Sequence, residues 1–162
     1  VKLTAQEEYG LRCLLQVARR APADGETVSS IRDVADAEGL SADYAAKLLR
    51  VLRQAGFVTS SRGATGGYRL SREARTIPLA EVLRALDAPL YDASFCEGYA
   101  GLQPQCVHKT SCAVRVLWRT LEKALTQALS GLTVADLLFD EGDAERRMVA
   151  QPGSVGAVRE EA

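Results

Sequence analysis

The sequence predicts a mostly α-helical fold with one small β wing: a winged helix-turn-helix followed by a long helix suited to pairing with a second copy. Three observations carry this. Two short amphipathic stretches, each with a serine cap, are joined through Gly39. A glycine-rich hairpin pattern follows at once, from Phe57 to Leu70. Beyond Cys112 an apolar stripe, wider than one small core needs, runs to Leu132.

The elements follow in order. Thr4 to Arg20 reads as a first helix: Thr4 can cap it, Glu7 stands three residues on as in a capping box, and Tyr9, Cys13 and Val17 share one face with Leu14 and Ala18 beside it. Residues 21–27 (APADGET) have loop composition. Ser30 to Glu38 is a short helix, with Ser29 or Ser30 as cap and Gly39 as stop. Ser41 caps the next helix, and Asp43 near its start suits the positive end of the helix dipole. Its apolar stripe is Tyr44, Leu48, Val51 and Leu52; Lys47, Arg50 and Arg53 lie largely off that stripe, and Gly56 ends it. Two helices joined by a tight glycine turn form a helix-turn-helix.

Phe57-Val58-Thr59 and Tyr68-Arg69-Leu70 have strand character around Arg62-Gly63-Ala64-Thr65-Gly66-Gly67, so a wing follows, with Arg62 at its tip. Ile77 to Leu86 reads as a helix with Pro78 in its first turn. Residues 88–111 read as a loop. A long helix starts at or just after Cys112 and runs to about Ser130, its stripe made by Leu117, Leu121, Ala124, Leu125, Ala128, Leu129 and Leu132. Such a stripe beyond the winged unit reads as a dimerisation helix. Residues 133–138 (TVADLL) form a short closing element, and the charged segment 140–162 reads as a mobile tail.

The net charge of −1 hides an asymmetry: residues 1–75 carry 12 Lys/Arg against 9 Asp/Glu, and residues 76–162 carry 8 against 12. Between Leu40 and Arg72 the basic residues are Lys47, Arg50, Arg53, Arg62, Arg69 and Arg72, and the only acid is Asp43. A basic patch this compact in a near-neutral chain points to a polyanion. On a helix-turn-helix the second helix would enter a major groove by its N-terminus, around Ser41, Asp43, Tyr44 and Lys47, while Arg62 reaches an adjacent minor groove. The bland alternative is a solvated helix face beside an ordinary hairpin. No apolar run approaches the ~20 residues of a membrane span, and residues 1–20 lack the pattern of a signal peptide. A cytoplasmic protein without a membrane partner is expected. No nucleophile constellation and no phosphate-cradling P-loop occurs, so no enzyme is expected.

Cys96, Cys106 and Cys112 fall within 17 consecutive positions, spaced C-x9-C-x5-C. Thiolates are soft ligands for zinc, copper(I) or iron–sulfur clusters. Zinc sites favour tighter cysteine pairs, whereas three cysteines on a loop can wrap a larger object with a fourth ligand from elsewhere. The alternatives are ordinary cysteines or a regulatory disulfide. His108, the only histidine, lies between Cys106 and Cys112 and is a possible ligand. Cys13, on the apolar face of the first helix, reads as a core cysteine.

The runs Lys2-Leu3-Thr4…Tyr9-Gly10-Leu11-Arg12, Leu40-Ser41…Tyr44, Leu52-Arg53-Gln54-Ala55-Gly56-Phe57-Val58 and Ser61-Arg62-Gly63…Gly66-Gly67-Tyr68-Arg69-Leu70 resemble the IscR/NsrR/RirA family of bacterial winged-helix transcription regulators, in its iron–sulfur-binding branch. The resemblance continues through Ile77…Leu86-Asp87, Trp118 and Leu132-Thr133-Val134-Ala135-Asp136-Leu137, and covers about residues 1–138. It implies a homodimer on a pseudo-palindromic operator of double-stranded DNA, with contacts carried over onto Ser41, Tyr44, Lys47 and Arg62; Arg50 joins them from the basic patch. It also implies a cluster on the three loop cysteines, 4Fe–4S ahead of 2Fe–2S. The organisation is then a winged DNA-binding unit at 1–87, a cysteine-rich cluster loop at 88–112, a dimerisation helix with closing element at 113–138, and a tail at 139–162.

The departures from the family pattern are specific. IscR-like members space their cysteines five and five, and take a fourth ligand from a histidine where this chain has Arg115, which cannot coordinate. NsrR-like members use a carboxylate from the partner's first helix, and the matching position here is Glu8. Glu8 is therefore the leading fourth ligand and His108 the lesser one. Arg12 stands where one related regulator uses histidine, and Ala46 where IscR-like members carry a glutamate that tunes operator choice. The function implied is a transcriptional regulator, a repressor by expectation, that senses nitric oxide, redox state or iron–sulfur status. The rivals are a winged-helix regulator that switches by cysteine thiol/disulfide chemistry, a cluster-carrying redox protein, and a zinc-structural module.

Overall fold

The computed structural model describes residues 3–20, 28–61, 63, 66–87, 94–98, 101–103 and 105–150. The first helix, α1 (Ala5–Arg19), begins at a reciprocal capping box: Glu7 N–H donates to Thr4 Oγ1 at 3.2 Å, and Thr4 N–H donates to Glu7 Oε2 at 2.9 Å. It buries Gly10, Cys13, Leu14, Val17 and Ala18. Helix α2 (Ile31–Glu38) starts at a second such box between Ser30 and Asp33, and stops at Gly39, whose φ of 64° lies in the left-handed region. Helix α3 (Ala42–Gln54) is capped by Ser41, whose Oγ accepts from Tyr44 N–H at 3.2 Å. The helix-turn-helix thus stands where its caps were read.

Strands β1 (Val58–Ser61) and β2 (Gly67–Leu70) pair antiparallel in the register Val58↔Leu70 to Ser61↔Gly67. A third backbone partner joins β2: Ser29 and Tyr68 exchange two N–H···O bonds of 2.8 Å. Gly67 makes this approach possible, since a Cβ there would stand 2.6 Å from the Ser29 carbonyl oxygen. Helix α4 (Leu79–Leu86) follows, with Pro78 at its N-cap. Its Leu86 lies so close over Gly10 that no β-carbon fits between them, and the Leu86 carbonyl accepts from the Gln6 side chain.

Two segments differ from expectation. Residues 94–97, inside the stretch read as loop, form the one-turn helix α5 (Ser94–Glu97). After α6 (Ala113–Ala128) and a 3-10 turn (Val134–Leu137), a last helix, α7 (Glu141–Ala150), occupies the start of the stretch read as a mobile tail. The tail reading is corrected for residues 141–150. Its cause is tertiary: Met148 packs against the core, and the Arg147 guanidinium lies 3.7 Å over the Phe139 ring and 4.0 Å from Asp136. Residues 151–162 lie outside the described residues.

The core is built by Leu14, Val34, Leu48, Leu49, Leu52, Val58, Ile77, Val82 and Leu86, all at 0–1% exposure, and Leu132 and Val134 return to close it. The return is held by backbone bonds: Leu79 N–H to Leu132 O at 3.0 Å, and Val134 N–H to Ile77 O at 2.9 Å. The closing element therefore belongs to the core of the winged unit. Helix α6 contributes no buried residue; Val114, Leu117, Trp118 and Leu121 stand 40–60% exposed on it.

Candidate nucleic-acid interface and cysteine loop

Ser41, exposed, caps the N-terminus of α3. Tyr44, one turn on, is half-buried, its ring meeting Tyr9 of α1 edge-on, with centroids 6.2 Å apart and planes at 75°. Lys47 and Arg50 are exposed, with no carboxylate at ion-pair distance among the described residues. Arg53, at the last turn of α3, donates from a terminal guanidinium nitrogen to Ser60 Oγ of β1 at 3.4 Å. Arg69 Nε donates to its register partner Thr59 at 3.4 Å. Arg72 differs: it donates to Thr76 O at 3.2 Å, pairs with Glu81 at 3.5 Å, and lies 5.8 Å over the Phe57 ring. Four of the six basic residues singled out in the sequence thus remain open to an anion, and one is committed internally. Arg62, expected at the wing tip, lies outside the described residues.

The three loop cysteines are partly exposed. Cys112 is the N-cap of α6, its Sγ accepting from Arg115 N–H at 3.4 Å. The Arg115 guanidinium donates to the carbonyls of His108 at 3.4 Å and Lys109 at 3.0 Å, and Lys109 N–H donates to Cys106 O at 3.2 Å. Arg115, read in the sequence only as a missing ligand, thereby ties the Cys106 turn to the helix that Cys112 begins. Its position one turn into the helix behind a cap was the available signal. Cys96 sits on α5, partly exposed, and His108 is exposed. Among the described residues no group of three or more His, Cys, Asp or Glu is close enough to hold a metal ion. A single chain therefore does not bring the predicted ligands together. The donor set itself suits a soft metal centre: three thiol groups, that of Cys112 already receiving the backbone N–H···S bond that supports a coordinating sulfur.

Glu8 lies on α1 with its carboxylate engaged by Arg12, 2.7 Å from Nε and 2.6 Å from a terminal nitrogen. That hydrogen bond and charge raise the Arg12 pKa. Arg12 also faces Glu38 at 4.0 Å, and Glu38 accepts from Gln16 at 2.5 Å. Cys13 is fully buried, as read, and burial, with a smaller contribution from Glu38, pushes its thiol up to about 12. No helix among the described residues is long and apolar enough to cross a membrane.

Comparison with known proteins accounts for this arrangement. A family model named Rrf2, described as an iron-dependent transcriptional regulator, matches residues 3–140. The protein rrf2 of Nitratidesulfovibrio vulgaris is 38% identical over 143 residues, covering 86% of this chain and 89% of the relative. Among solved structures, IscR of T. potens superposes with a TM-score of 0.65 at 30% identity, covering 94% of each chain. CymR, described as the global cysteine regulator of B. subtilis, superposes with a TM-score of 0.65 at 29% identity, covering 85% of this chain and 96% of its own. With residues 3–140 matched by the family model and most of its length shared with these relatives, the chain belongs to the Rrf2 family of winged-helix transcriptional regulators.

Proposed function

We propose that this regulator binds a pseudo-palindromic DNA operator as a homodimer, and that an iron–sulfur cluster sets its affinity. Ser41, Tyr44, Lys47, Arg50 and Arg62 read the duplex. Cys96, Cys106 and Cys112, with Glu8 from a second copy, hold the cluster, 4Fe–4S ahead of 2Fe–2S; His108 is the lesser candidate for the fourth place. The observation that carries the reading is a set of three partly exposed cysteines leading into a helix whose apolar face is uncovered. When bound, the cluster supplies an iron site reactive toward nitric oxide or oxidants. What the chain does follows from its own groups. Arg12 releases Glu8, whose carboxylate then joins the cysteine loop to the first helix of the other copy. Tyr9, next to Glu8, carries any shift of α1 to Tyr44 on the recognition helix. Two recognition helices must match successive major grooves, so a change in their spacing changes operator affinity. Repression is the expected output.

A second reading is supported by the likeness to CymR and by three cysteines that are not gathered among the described residues: the same DNA switch, operated by thiol–disulfide exchange. Anaerobic purification followed by a visible spectrum, with iron and acid-labile sulfide assays, separates the two. A brown protein with comparable iron and sulfide is the expected result. A colourless protein that stays so after anaerobic reconstitution, and whose operator affinity follows a dithiol reductant, overturns the cluster reading in favour of the second.

A further inference from the structure

The basic patch is divided by the wing. In the hairpin register, Val58, Ser60, Tyr68 and Leu70 share one face, and Thr59, Ser61, Gly67 and Arg69 share the other. The first face turns inward, since Val58 is buried and Tyr68 and Leu70 pack on the core. Arg53 reaches Ser60 on that inner side, in the corner between the last turn of α3 and the base of the hairpin. Arg69 stands beside Thr59 on the outer side. Neither has a carboxylate at ion-pair distance among the described residues, whereas Arg72 in the same patch is held by Glu81, Thr76 and the Phe57 ring.

We infer that Arg53 and Arg69 bind backbone phosphates of the two DNA strands that border the minor groove entered by the wing; this rests on the DNA-binding reading above. With α3 in a major groove and the wing in the neighbouring minor groove, one sugar–phosphate strand runs between them, through the corner that Arg53 occupies. The second strand bordering that minor groove passes the outer face of the hairpin, where Arg69 stands. The hydroxyls of Ser60 and Thr59 hold each guanidinium in place and leave its other N–H groups for phosphate oxygens. Such contacts set position and affinity but read no sequence.

The test is the salt dependence of duplex binding, measured with the full chain on an operator fragment and on an unrelated duplex of equal length. Each phosphate contact contributes about 0.9 to the slope of log affinity against log salt. Arg53→Gln and Arg69→Gln are each expected to lower the slope by about 0.9 per subunit, alike on both duplexes. Arg53→Lys and Arg69→Lys keep it, and so does Arg72→Gln. All positions are exposed, and unchanged circular dichroism verifies the fold. Unchanged slopes for Arg53→Gln and Arg69→Gln overturn the assignment, as does an equal drop for Arg72→Gln. Failure of the unmodified chain to bind either duplex, with or without anaerobic reconstitution, overturns the DNA-binding reading instead, and the assignment with it.

Discussion

Cys13 and the loop cysteines have the same side chain in opposite environments, and reactivity should divide accordingly. Cys13 is fully buried among Leu14, Val17 and their neighbours, with its thiol pushed up to about 12 by burial and Glu38. Cys96, Cys106 and Cys112 are partly exposed. Native chain free of metal, treated with an alkylating reagent at pH 8, is expected to take up three labels by intact-mass measurement, and a fourth only in denaturant. Labelling of Cys13 at the rate of the others would contradict its place in the core. The same residue makes stability fall at alkaline pH. The folded chain holds the Cys13 proton to about 12, whereas the unfolded chain releases it near pH 8.5. Its contribution is therefore complete below ~8.5 and is lost as pH rises toward 12. Cys13→Ala should flatten that decline.

At the scale of elements, legibility in the sequence followed local chemistry. Helices α1 to α3 were readable because their ends are written in residues three apart: Thr4 with Glu7, Ser30 with Asp33, Ser41 with the Tyr44 amide. The wing was readable from its glycines; thiol spacing singled out the three loop cysteines, which the single chain leaves ungathered among the described residues. What the sequence could not show is decided by distant residues. Helix α7 is rich in charge and docks through Met148 and Arg147; α5 has a single turn; the Ser29–Tyr68 bridge joins residues 39 positions apart. The Arg12 clasp on Glu8 was likewise hidden, although the two lie one turn apart, because an i,i+4 pair is by default a solvated one. That clasp makes a prediction. The side chains of Glu8 and Arg12 are 41% and 55% exposed, so solvent screens the pair and it adds little to stability. Glu8→Ala should leave the midpoint of urea-induced unfolding nearly unchanged. It should nevertheless speed loss of iron to a chelator several-fold from the anaerobically prepared protein. Unchanged iron release removes Glu8 from the ligand set.

For the whole molecule, the decisive fact is that the core closes without α6. Leu132 and Val134 return to Ile77 and Leu79, so everything the single chain needs for its hydrophobic interior lies outside the long helix. Yet α6 spends apolar residues on Val114, Leu117, Trp118 and Leu121, spaced three, four and seven apart on one face and 40–60% exposed. A contiguous exposed apolar stripe marks an interaction surface, and in the homodimer proposed above a second copy of the same stripe would cover it. Replacing Leu117 and Leu121 together by Arg separates this role from a structural one, because neither side chain is buried in the single chain. Helical content and melting temperature of the isolated fold should be nearly unchanged. Each half-exposed leucine contributes on the order of 1 kcal/mol to an interface that covers it. Four such leucines across two copies amount to roughly 4 kcal/mol, a dissociation constant weakened about a thousandfold. Sedimentation equilibrium should then find a monomer where the unmodified chain sediments as a dimer, and affinity for a two-half-site operator should fall far more than affinity for a single half-site. If the double variant still sediments as a dimer, the pairing surface lies elsewhere, and the route from Glu8 of one copy to the cysteine loop of the other fails with it.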